Sequence, residues 1–386
     1  MAVKIAHVVT TFYDTNATGW VMALAEDQKR QGWDVELIVG RNASPELMQA
    51  KRDAGFGVIQ VPSLRKYVRP VDEMLALVNL SRLFRRRRYD VVHTHLAKAG
   101  VVGRLAAWLA GVNWVVHSVY GASFAPTQSW ARRILFQGLE RLAGGSTDAF
   151  IFVGQELKEA YCQAGVCPWP KGQVIYYGKD LSPFLPVARL SPEERQAQRE
   201  ALGLRQEDIV LGNVSRIVPW KGHDYAVRVF GELKETFPTL KFIIVGDAKT
   251  SSEIGFKERL MRMVRERGLE EDIIFTGWVI DPARYFAAFD LYLLSSMPLE
   301  GVPGAVIEAA VAGVPVVGFD CYGVREIPGV QATLVPPKDV PALTSALRQE
   351  ILNLAASRGN GNGFRSSADL RRMHQQFDMD RMVRET

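Results

Sequence analysis

Residues 291–310 read LYLLSSMPLEGVPGAVIEAA, and they carry the strongest indication of the fold class. Four apolar residues typical of a buried strand lead into a loop rich in Gly and Pro, and an apolar helix begins near Pro303. Pro is favoured in the first turn of a helix, and Gly lets the backbone approach a neighbour closely. The stretch therefore predicts a strand–loop–helix unit of a parallel α/β sheet.

The same pattern recurs along the chain. Segments with apolar residues at helical spacing, such as 20–31, 97–110, 226–235 and 258–267, alternate with short apolar runs. These runs are 5–9, 34–39, 91–95, 114–119 and 149–153 in the first half, and 209–214, 241–245, 273–276, 291–294 and 315–319 in the second. Because continuous apolarity is typical of strands buried on both faces, the chain predicts two doubly wound, Rossmann-like α/β domains.

Prolines mark the boundary between these domains. Pro183, Pro186 and Pro192 interrupt both periodicities, and the surrounding segment is polar and rich in charge. We predict a domain over 1–180, a linker over 181–204, a second domain over 205–365 that ends near a Gly-rich turn at 359–363, and a helical segment over 366–386. In such a fold we expect the ligand site in the cleft where the carboxyl ends of both sheets face each other.

Composition excludes several classes of protein. The chain has 386 residues, 47% of them hydrophobic and 23% charged, with a net charge of +5, which fits two globular domains and excludes disorder. Three cysteines without a CxxC pair argue against a disulfide framework or a Cys-rich zinc site and suit a reducing cytosol. We find neither a signal peptide nor an apolar stretch of membrane-spanning length. Without GxxxxGK[ST] or GxGxxG after the first strand, P-loop NTPases and ordinary dehydrogenases are disfavoured.

Two glutamates flank the start of the helix that follows residues 291–294. Glu300 lies in the loop and Glu308 inside the helix, about two turns apart. Backbone N–H groups of such a loop bind phosphate or sugar oxygens, and a carboxylate binds the vicinal hydroxyls of a ribose. The alternative is that both are surface carboxylates, but the apolar neighbours of Glu308 favour burial, and a buried Glu needs a partner.

A second informative stretch, LGNVSRIVPWKG over 211–222, follows the first strand of the second domain. Arg216 and Lys221 lie five residues apart in it. An Arg fork matches phosphate geometry and Lys adds a compact charge, so the pair could neutralise a leaving diphosphate. The alternative is a solvated basic loop. In the first domain, Gly19 precedes a predicted helix and could either approach a ligand or serve only the turn.

Histidines give weaker signals. His93 and His95 share one face of a strand and could bind a metal, but no third ligand is evident in the sequence, which favours a structural role. His117 ends a strand at the predicted cleft edge of the first domain. The Asp378-Met379-Asp380 segment lies in the terminal helical region, where we interpret it as a solvated face.

A basic cluster lies in the first domain. Its members are Arg65, Lys66, Arg69, Arg82, Arg85, Arg86, Arg87 and Arg88. Either these residues form a solvated helix end, which is the interpretation slightly favoured, or they attract anionic lipid head groups at roughly 1 kcal/mol per charge. Nucleic acid is disfavoured as a partner, because aromatic residues are not interleaved with the arginines.

Taken in order, these segments resemble a known family. EGVPGAVIEAAVAGVPVVG over 300–318, with its Glu300–Glu308 pair, looks like the signature of retaining family 4 glycosyltransferases of GT-B fold. DVVHTHLAKAGVVGRLAAWLAGV over 90–112 is similar to a segment of bacterial capsule and exopolysaccharide enzymes, and NVSRIVPWKG, FIIVGD, FTGWV and GVREI follow the family's order. The resemblance covers nearly the whole chain.

The resemblance implies roles for single residues. Arg216 and Lys221 would hold the donor diphosphate, Glu308 the ribose, and Glu300 would face the transferred sugar. Further donor contacts are implied for Gly19, Ser215, Gly246, Trp278, Gly301, Val302, Pro303 and Gly304. The first domain would bind the acceptor, the second would bind the nucleotide-sugar, and the last helix would cross back to the first domain. Such enzymes usually need no metal or other cofactor.

Three departures from the family pattern stand out. Tyr120 lies where relatives have an active-site His, so that either His117 or Tyr120 substitutes in catalysis or activity is reduced. Tyr176-Tyr177-Gly178 replaces the usual Pro-Asn-Gly, and Trp20 follows Gly19 where many relatives have a second Gly.

The sequence therefore predicts a metal-independent, retaining hexosyltransferase that uses a nucleoside diphosphate sugar, with UDP favoured. Its expected acceptor is a lipid-linked glycan or a lipopolysaccharide or polysaccharide precursor. We expect it in the cytoplasm, with peripheral association at the inner face of the membrane as the weaker expectation. Two rivals stand beside this hypothesis: a non-hydrolysing UDP-sugar 2-epimerase, and a nucleotide-sugar-binding protein without catalysis.

Overall fold

A computed structural model describes residues 2–13, 15–66, 68–357 and 367–386. The chain divides into two compact units: a first unit of residues 1–178 with 377–386, and a second unit of residues 179–376. The predicted Gly-rich turn at 359–363 lies outside the described residues.

The first unit is built on a seven-stranded parallel sheet in the order β3-β2-β1-β4-β5-β6-β7. Its strands are β1 (Lys4–Phe12), β2 (Asp34–Ala43), β3 (Gly57–Val61), β4 (Val91–His95), β5 (Trp114–Val119), β6 (Ala149–Phe152) and β7 (Gly172–Val174). Its helices before the second unit are α1 (Asn16–Arg30), α2 (Pro45–Asp53), α3 (Pro70–Arg87), α4 (Ala97–Ala110), α5 (Trp130–Gly144) and α6 (Gln155–Gln163).

The second unit holds a six-stranded parallel sheet in the order β10-β9-β8-β11-β12-β13. Its strands are β8 (Ile209–Val214), β9 (Leu240–Val245), β10 (Ile273–Phe275), β11 (Leu291–Leu294), β12 (Val316–Phe319) and β13 (Ala332–Val335). Its helices are α7 (Pro192–Glu200), α8 (His223–Lys234), α9 (Ser251–Glu266), α10 (Ala283–Phe286), α11 (Gly304–Ala312), α12 (Val340–Ser357) and α13 (Ser367–Gln376), and α14 (Met379–Glu385) returns to the first unit.

The central strands are buried on both faces, which confirms the predicted pair of doubly wound sheets. In β11 all four residues are buried, and in β8 five of six are. Leu211, Leu293 and Phe242 lie in one core with Phe230 of α8 and Leu343 of α12. Every predicted strand is present, and no end differs from its predicted position by more than four residues.

The strands that sequence reasoning missed are β3, β7 and β13, and each lies at an edge of its sheet. An edge strand is covered on fewer sides, so its sequence does not need to be continuously apolar. Accordingly, β13 has no fully buried residue, and β3 has only two buried residues of five.

The segment predicted as a linker folds as part of the second unit. Its helix α7 begins with a capping box in which the Ser191 hydroxyl accepts from Glu194 N and the Glu194 carboxylate accepts from Ser191 N. Arg195 and Arg199 then bind Asp290 at 3.2 and 3.1 Å. The prolines that suggested a break therefore include the first residue of a helix, where proline is well tolerated.

Candidate active site

Two loops of the second unit are locked together where β8 and β11 end. The backbone N–H of Met297 donates to Trp220 O over 2.8 Å, and the Ser295 hydroxyl donates to Lys221 O over 2.7 Å. Gly222 between them has φ +67°, and a Cβ there would lie 2.0 Å from Ser295 O. Only glycine fits this close approach, so the predicted donor-site loops are held in one fixed arrangement.

Lys221 and Glu300, both predicted as site residues, form a direct ion pair. Lys221 Nζ lies 2.6 Å from Glu300 Oε1 and 2.7 Å from Glu300 Oε2, and each side chain is about one-fifth exposed. The carboxylate thus fixes the ammonium group at the edge of the loop. An anionic ligand would find there a positive group that is already oriented.

Arg216 lies on the same β8 loop and is oriented from two sides. Its guanidinium lies over the Trp220 ring, 5.5 Å from the centroid, and Nη1 is 3.5 Å from Glu253 Oε1. Glu253 is itself fixed, because its other oxygen accepts from the backbone N–H groups of Lys249 and Thr250. Since 36% of the Arg216 side chain remains exposed, the fork can still bind a phosphate.

Glu308 lies on α11 and is buried, as its apolar neighbours suggested. Its partner is Lys179, whose Nζ lies 2.7 Å from Glu308 Oε1. Sequence reasoning missed Lys179, although it directly follows the Tyr176-Tyr177-Gly178 segment that departs from the family pattern. The ammonium neutralises a carboxylate that would otherwise be costly to bury.

The loop before α11 is enclosed by its neighbour. Gly301, Val302 and Pro303 are buried, and the N–H groups of Val306 and Ile307 turn back to Pro303 O. A Cβ at Gly323 would lie 2.6 Å from Val302 Cγ2, so the next loop packs tightly on this one. The first N–H groups of α11, beginning at Gly304, have no intrahelical acceptor by construction and favour an anion.

Ser215, Gly246 and Trp278 line the adjoining loops. Gly246 has φ +135°, donates to Gly277 O over 3.1 Å, and approaches Ser215 so closely that a Cβ would lie 2.1 Å from Ser215 O. Trp278 is 55% exposed, with Lys249 Nζ 3.7 Å from its ring centroid. An exposed indole beside a glycine turn suits a flat aromatic ligand such as a nucleobase.

In the first unit, a hydrogen-bonded chain runs through two histidines. Tyr120 OH lies 3.1 Å from His95 Nδ1, His95 Nε2 lies 2.9 Å from His7 Nδ1, and His7 Nε2 lies 2.7 Å from Gln28 Oε1. His7 comes from β1, and His95 ends β4. The sequence could not bring His7 beside the other histidines, because the neighbourhood of β1 and β4 is a property of the sheet order.

The chain has a single direction when its histidines are neutral. Burial lowers the pKa of His7 to about 4 and that of His95 well below its usual value. Because Gln28 Oε1 can only accept, His7 Nε2 carries the proton and Nδ1 accepts from His95 Nε2. His95 Nδ1 then accepts from Tyr120, whose pKa is raised by burial. Tyr120 thus donates its hydroxyl proton to His95, and its oxygen remains able to accept a hydrogen bond.

His93 completes a group of three histidines. Ring nitrogens of His7, His93 and His95 lie within 4.8 Å of one another, so a third ligand that the sequence did not reveal is present. However, His7 Nδ1 and His95 Nε2 bind each other, and His93 Nε2 lies 2.8 Å from Ser118 Oγ. The cluster satisfies its hydrogen bonds without an ion, which agrees with the structural role favoured above. The metal independence of the protein stays a prediction.

His117 lies inside β5, two residues before its end, and its side chain is only 1% exposed. The structure thus contradicts its predicted place at an accessible strand end. Its Nδ1 lies 2.9 Å from Thr94 Oγ1 and 3.1 Å from Thr94 O, and a Cβ at Gly100 would lie 2.4 Å from its Cε1. Burial and Arg104 hold the pKa of His117 well below its usual value. His117 therefore packs β5 against α4, and Tyr120 is the better candidate for a substrate contact.

The departures from the family pattern contact one another. Trp20 stacks on Tyr177 at 4.1 Å between ring centroids and lies 5.2 Å from the Tyr120 ring, and its indole N–H donates to Gly178 O over 2.9 Å. Gly19 is not a loop residue before the helix but belongs to the first turn of α1, because Thr15 caps the helix earlier than predicted. The three substitutions thus form one packed aromatic cluster.

Comparison with known proteins places this architecture in a family. The model described as Glycosyl transferase 4-like domain matches residues 20–178, and the model described as Glycosyl transferases group 1 matches residues 208–353. Together they span well over half of the chain. The protein therefore belongs to the group 1, family 4-like glycosyltransferases, and its two doubly wound units are those of the GT-B fold.

Individual relatives refine this picture. The chain is 29% identical over 294 residues to UDP-Gal:alpha-D-GlcNAc-diphosphoundecaprenol alpha-1,3-galactosyltransferase of Escherichia coli, covering 74% of this chain and 73% of that protein. It is 28% identical over 263 residues to a GDP-mannose-dependent alpha-(1-6)-phosphatidylinositol monomannoside mannosyltransferase of Mycolicibacterium smegmatis, covering 65% and 64%. HepE of Anabaena, in complex with UDP and glucose, shares the fold with a TM-score of 0.74 at 21% identity, over 99% of this chain and 98% of that chain.

Proposed function

We propose that the protein transfers a hexose-type sugar from a UDP-sugar to a lipid-linked glycan or another lipopolysaccharide or polysaccharide precursor, with retention of anomeric configuration and without a metal. The observation that carries the proposal is the group of Arg216, Lys221 and Glu300 on two interlocked loops. Two cations and one carboxylate in fixed positions suit a ligand that bears both phosphate and sugar hydroxyls.

The donor would bind in the second unit. Glu308, the buried end of the Lys179 pair, presents its second oxygen to the ribose hydroxyls. Trp278 would stack on the base, and the N-terminal N–H groups of α11 would bind the diphosphate or the sugar. Ser215 and Gly246 pack closely against each other near Trp278, and the lack of a side chain at Gly246 would let the backbone approach the nucleotide.

The chemical step would depend on stabilising the leaving group. The bond between the anomeric carbon and the β-phosphate oxygen breaks with its electron pair going to the phosphate, and the acceptor oxygen bonds to the anomeric carbon from the same face. The acceptor proton passes to the departing phosphate. Because negative charge grows on that phosphate, Arg216 and Lys221 bind it more strongly in the transition state than in the ground state. Glu300 orients Lys221 and accepts from a hydroxyl of the transferred sugar.

Tyr120 would position a substrate hydroxyl and would not act as a base. Its proton is directed at His95, and burial raises its pKa, so it remains a phenol at neutral pH. Its oxygen can accept a hydrogen bond from a sugar hydroxyl, as a neutral histidine nitrogen would. The substitution of the family's usual His thus preserves the acceptor function, which favours an active enzyme over a silent binding protein.

The choice of UDP and of a lipid-linked acceptor is supported by relatives. The galactosyltransferase of Escherichia coli is named for UDP-Gal and a diphosphoundecaprenol acceptor, and HepE was solved with UDP. The mycobacterial relative is named for GDP-mannose, so GDP-sugars belong in the same test.

The test is a product analysis with purified protein. UDP-galactose, UDP-glucose and GDP-mannose are each offered with GlcNAc-diphosphoundecaprenol, and nucleotide release, glycolipid mass and anomeric configuration are measured. We expect UDP release that depends on the acceptor, and an α-linked product from the α-linked donor. A C2-epimerised UDP-sugar formed without acceptor would establish the epimerase instead. Donor binding without nucleotide release under any acceptor would establish the silent binding protein.

A further inference from the structure

The strongest unassigned feature of the molecule is the outer surface of α5. Trp130, Ile134 and Leu142 of this helix are 77%, 61% and 62% exposed, and Leu135 is exposed as well. In helical projection these residues form one broad apolar arc. The buried residues of α5 are instead Glu140, Ala143 and Gly144, on the opposite side. An ordinary surface helix packs its apolar side against the protein. In α5 the apolar side is exposed to solvent instead.

The neighbouring helices extend this surface. Helix α4 packs between α3 and α5, so the three helices lie side by side in the first unit. The carboxyl ends of α3 and α4 are linked by Arg85, which donates to Leu109 O over 2.5 Å. Further exposed apolar side chains on α3, α4 and the start of β5 are Val71, Met74, Leu75, Val78, Trp108, Leu109 and Trp114. We call the exposed surface of α3, α4 and α5 the apolar–basic face.

The charge on this face is positive, since its acidic residues are already paired. The three helices contain three acidic residues in all. Asp72 and Glu73 of α3 bind Arg65 and Lys98 at 3.3 and 2.6 Å, and Glu140 of α5 is buried against Arg104 at 2.5 Å. In contrast, the exposed positions of α3 and α5 include Arg82, Arg86, Arg132 and Arg133.

The basic cluster identified in the sequence is thus only one part of the apolar–basic face, and exposed apolar side chains form the other part. Arg65 forms an ion pair with Asp72, and Arg87 lies 3.3 Å from Glu36. The charges of these two arginines are therefore already neutralised. The exposed arginines at the end of α3 remain, beside tryptophans and aliphatic residues that lie far away in the sequence. An exposed apolar patch of several side chains on a protein surface marks an interaction site.

We propose that the apolar–basic face docks on a lipid bilayer that contains anionic head groups. Apolar side chains with Trp on one side of a helix, flanked by arginines, are the composition of helices that lie in the membrane interface. A second copy of this chain fits less well, because self-association would bring arginine against arginine. Among the described residues no helix has the length and apolarity of a bilayer span, so this contact is peripheral. It stands independently of the donor site.

The test is vesicle co-sedimentation of the full chain. Vesicles of phosphatidylcholine alone are compared with vesicles containing 30% phosphatidylglycerol, at low and at high salt. The apolar variant is W130S/I134Q and the charge variant is R82E/R86E. Matched controls in the second unit are I280S, at a 98% exposed isoleucine, and R262E, at an exposed arginine of α9. Circular dichroism and UDP-induced thermal stabilisation verify that each variant is folded.

We expect the wild type and both controls to bind anionic vesicles more tightly than neutral ones, with affinity falling as salt rises. R82E/R86E should lose affinity by about fivefold or more per arginine, and W130S/I134Q by more than about tenfold. The proposal is wrong if the wild type does not bind anionic vesicles, or if both face variants bind like the controls. If the wild type forms a dimer without lipid and W130S/I134Q is a monomer, the apolar–basic face binds a second copy of the chain instead. UDP binding stays unchanged in all four variants, which separates this outcome from failure of the proposed function.

Discussion

Lys179 Nζ lies 2.7 Å from Glu308 Oε1, and the two side chains are 14% and 10% exposed. Lys179 begins the second unit and Glu308 lies on α11, 129 positions later in the numbering. The pair prepares the carboxylate that we assign to the ribose, because the ammonium fixes its orientation before any ligand arrives. We therefore expect donor binding and the stability of the second unit to depend on the same two residues. Single and double substitutions can distinguish the two effects.

The first prediction concerns this pair. Lys179→Met should destabilise the second unit by about 3 kcal/mol, because it leaves a buried carboxylate without its counter-charge. Glu308→Gln in the same chain should recover most of that loss. Donor binding should behave differently: UDP-induced thermal stabilisation is lost in Glu308→Gln and in the double variant, since an amide binds the ribose hydroxyls less well than a carboxylate.

The measurements are urea unfolding without ligand and a thermal-shift titration with UDP. Lys257→Met, which disrupts the more exposed pair with Asp247, is the matched control. Full UDP stabilisation in the double variant would remove Glu308 from the donor site. Equal stability of Lys179→Met and wild type would show that the pair is not a structural one.

The second prediction concerns the leaving group. Arg216→Ala should lower kcat by about 10²- to 10³-fold, because it removes a donor whose contact strengthens as charge develops on the phosphate. KM for the donor should change much less than kcat. Steady-state kinetics on Arg216→Ala and on the control Arg262→Ala, at an exposed arginine, test this. If the main change is in KM, Arg216 contributes to uniform binding and not to the chemical step.

Much of the fold could be predicted from the sequence, because buried parallel strands have a strong signal. Runs such as 209–214 and 291–294 are continuously apolar, and the structure has strands there. The edge strand Ala332–Val335 lacks that signal, since its environment does not demand apolar residues. Helix α7 does have a local signal, since Ser191 and Glu194 are spaced as a capping box, but the prolines beside it suggest a break in the chain's periodicity.

The candidate site was predictable to the extent that it depends on local motifs. Arg216, Lys221 and Glu300 lie on loops that the strand–loop–helix pattern locates. Lys179 and His7 were missed, because their partners Glu308 and His95 are remote in sequence and only strand order and packing bring them close. The burial of His117 cannot be predicted either, because it depends on contacts with Thr94 of β4 and Gly100 of α4, which no local motif specifies.

The third prediction separates Tyr120 from His117. Tyr120→Phe removes the phenolic oxygen that we propose accepts from a substrate hydroxyl, and should lower kcat/KM by at least about tenfold. It also leaves buried His95 Nδ1 without its donor, so we expect a stability loss of about 1 kcal/mol. His117→Gln disturbs packing beside Thr94 and Gly100, and should lower stability while the folded fraction keeps its turnover. Turnover per folded molecule, measured with unfolding curves in parallel, distinguishes the two. The reverse pattern would return the catalytic role to His117.

The fourth prediction concerns acid stability. Burial lowers the pKa of His7 to about 4 and of His223 to about 3, whereas an unfolded His titrates near 6.5. Between those values the unfolded chain binds protons that the folded chain does not, so stability is full above about pH 6.5 and falls as the pH drops towards 4. Proton binding at His7 alone should lower the free energy of unfolding by about 3 kcal/mol between about pH 6.5 and pH 4.

Urea unfolding at pH 7, 6 and 5 checks this prediction. We expect the free energy of unfolding to fall by about 1.4 kcal/mol per pH unit for each such histidine. The slope should decrease in His7→Gln and stay as in wild type in His374→Gln, since His374 is exposed. A wild-type stability that is equal at pH 5 and pH 7 would mean that the buried histidines accept protons in the folded state. The directed chain from Tyr120 to Gln28, which requires neutral rings, would then be lost already at pH 5.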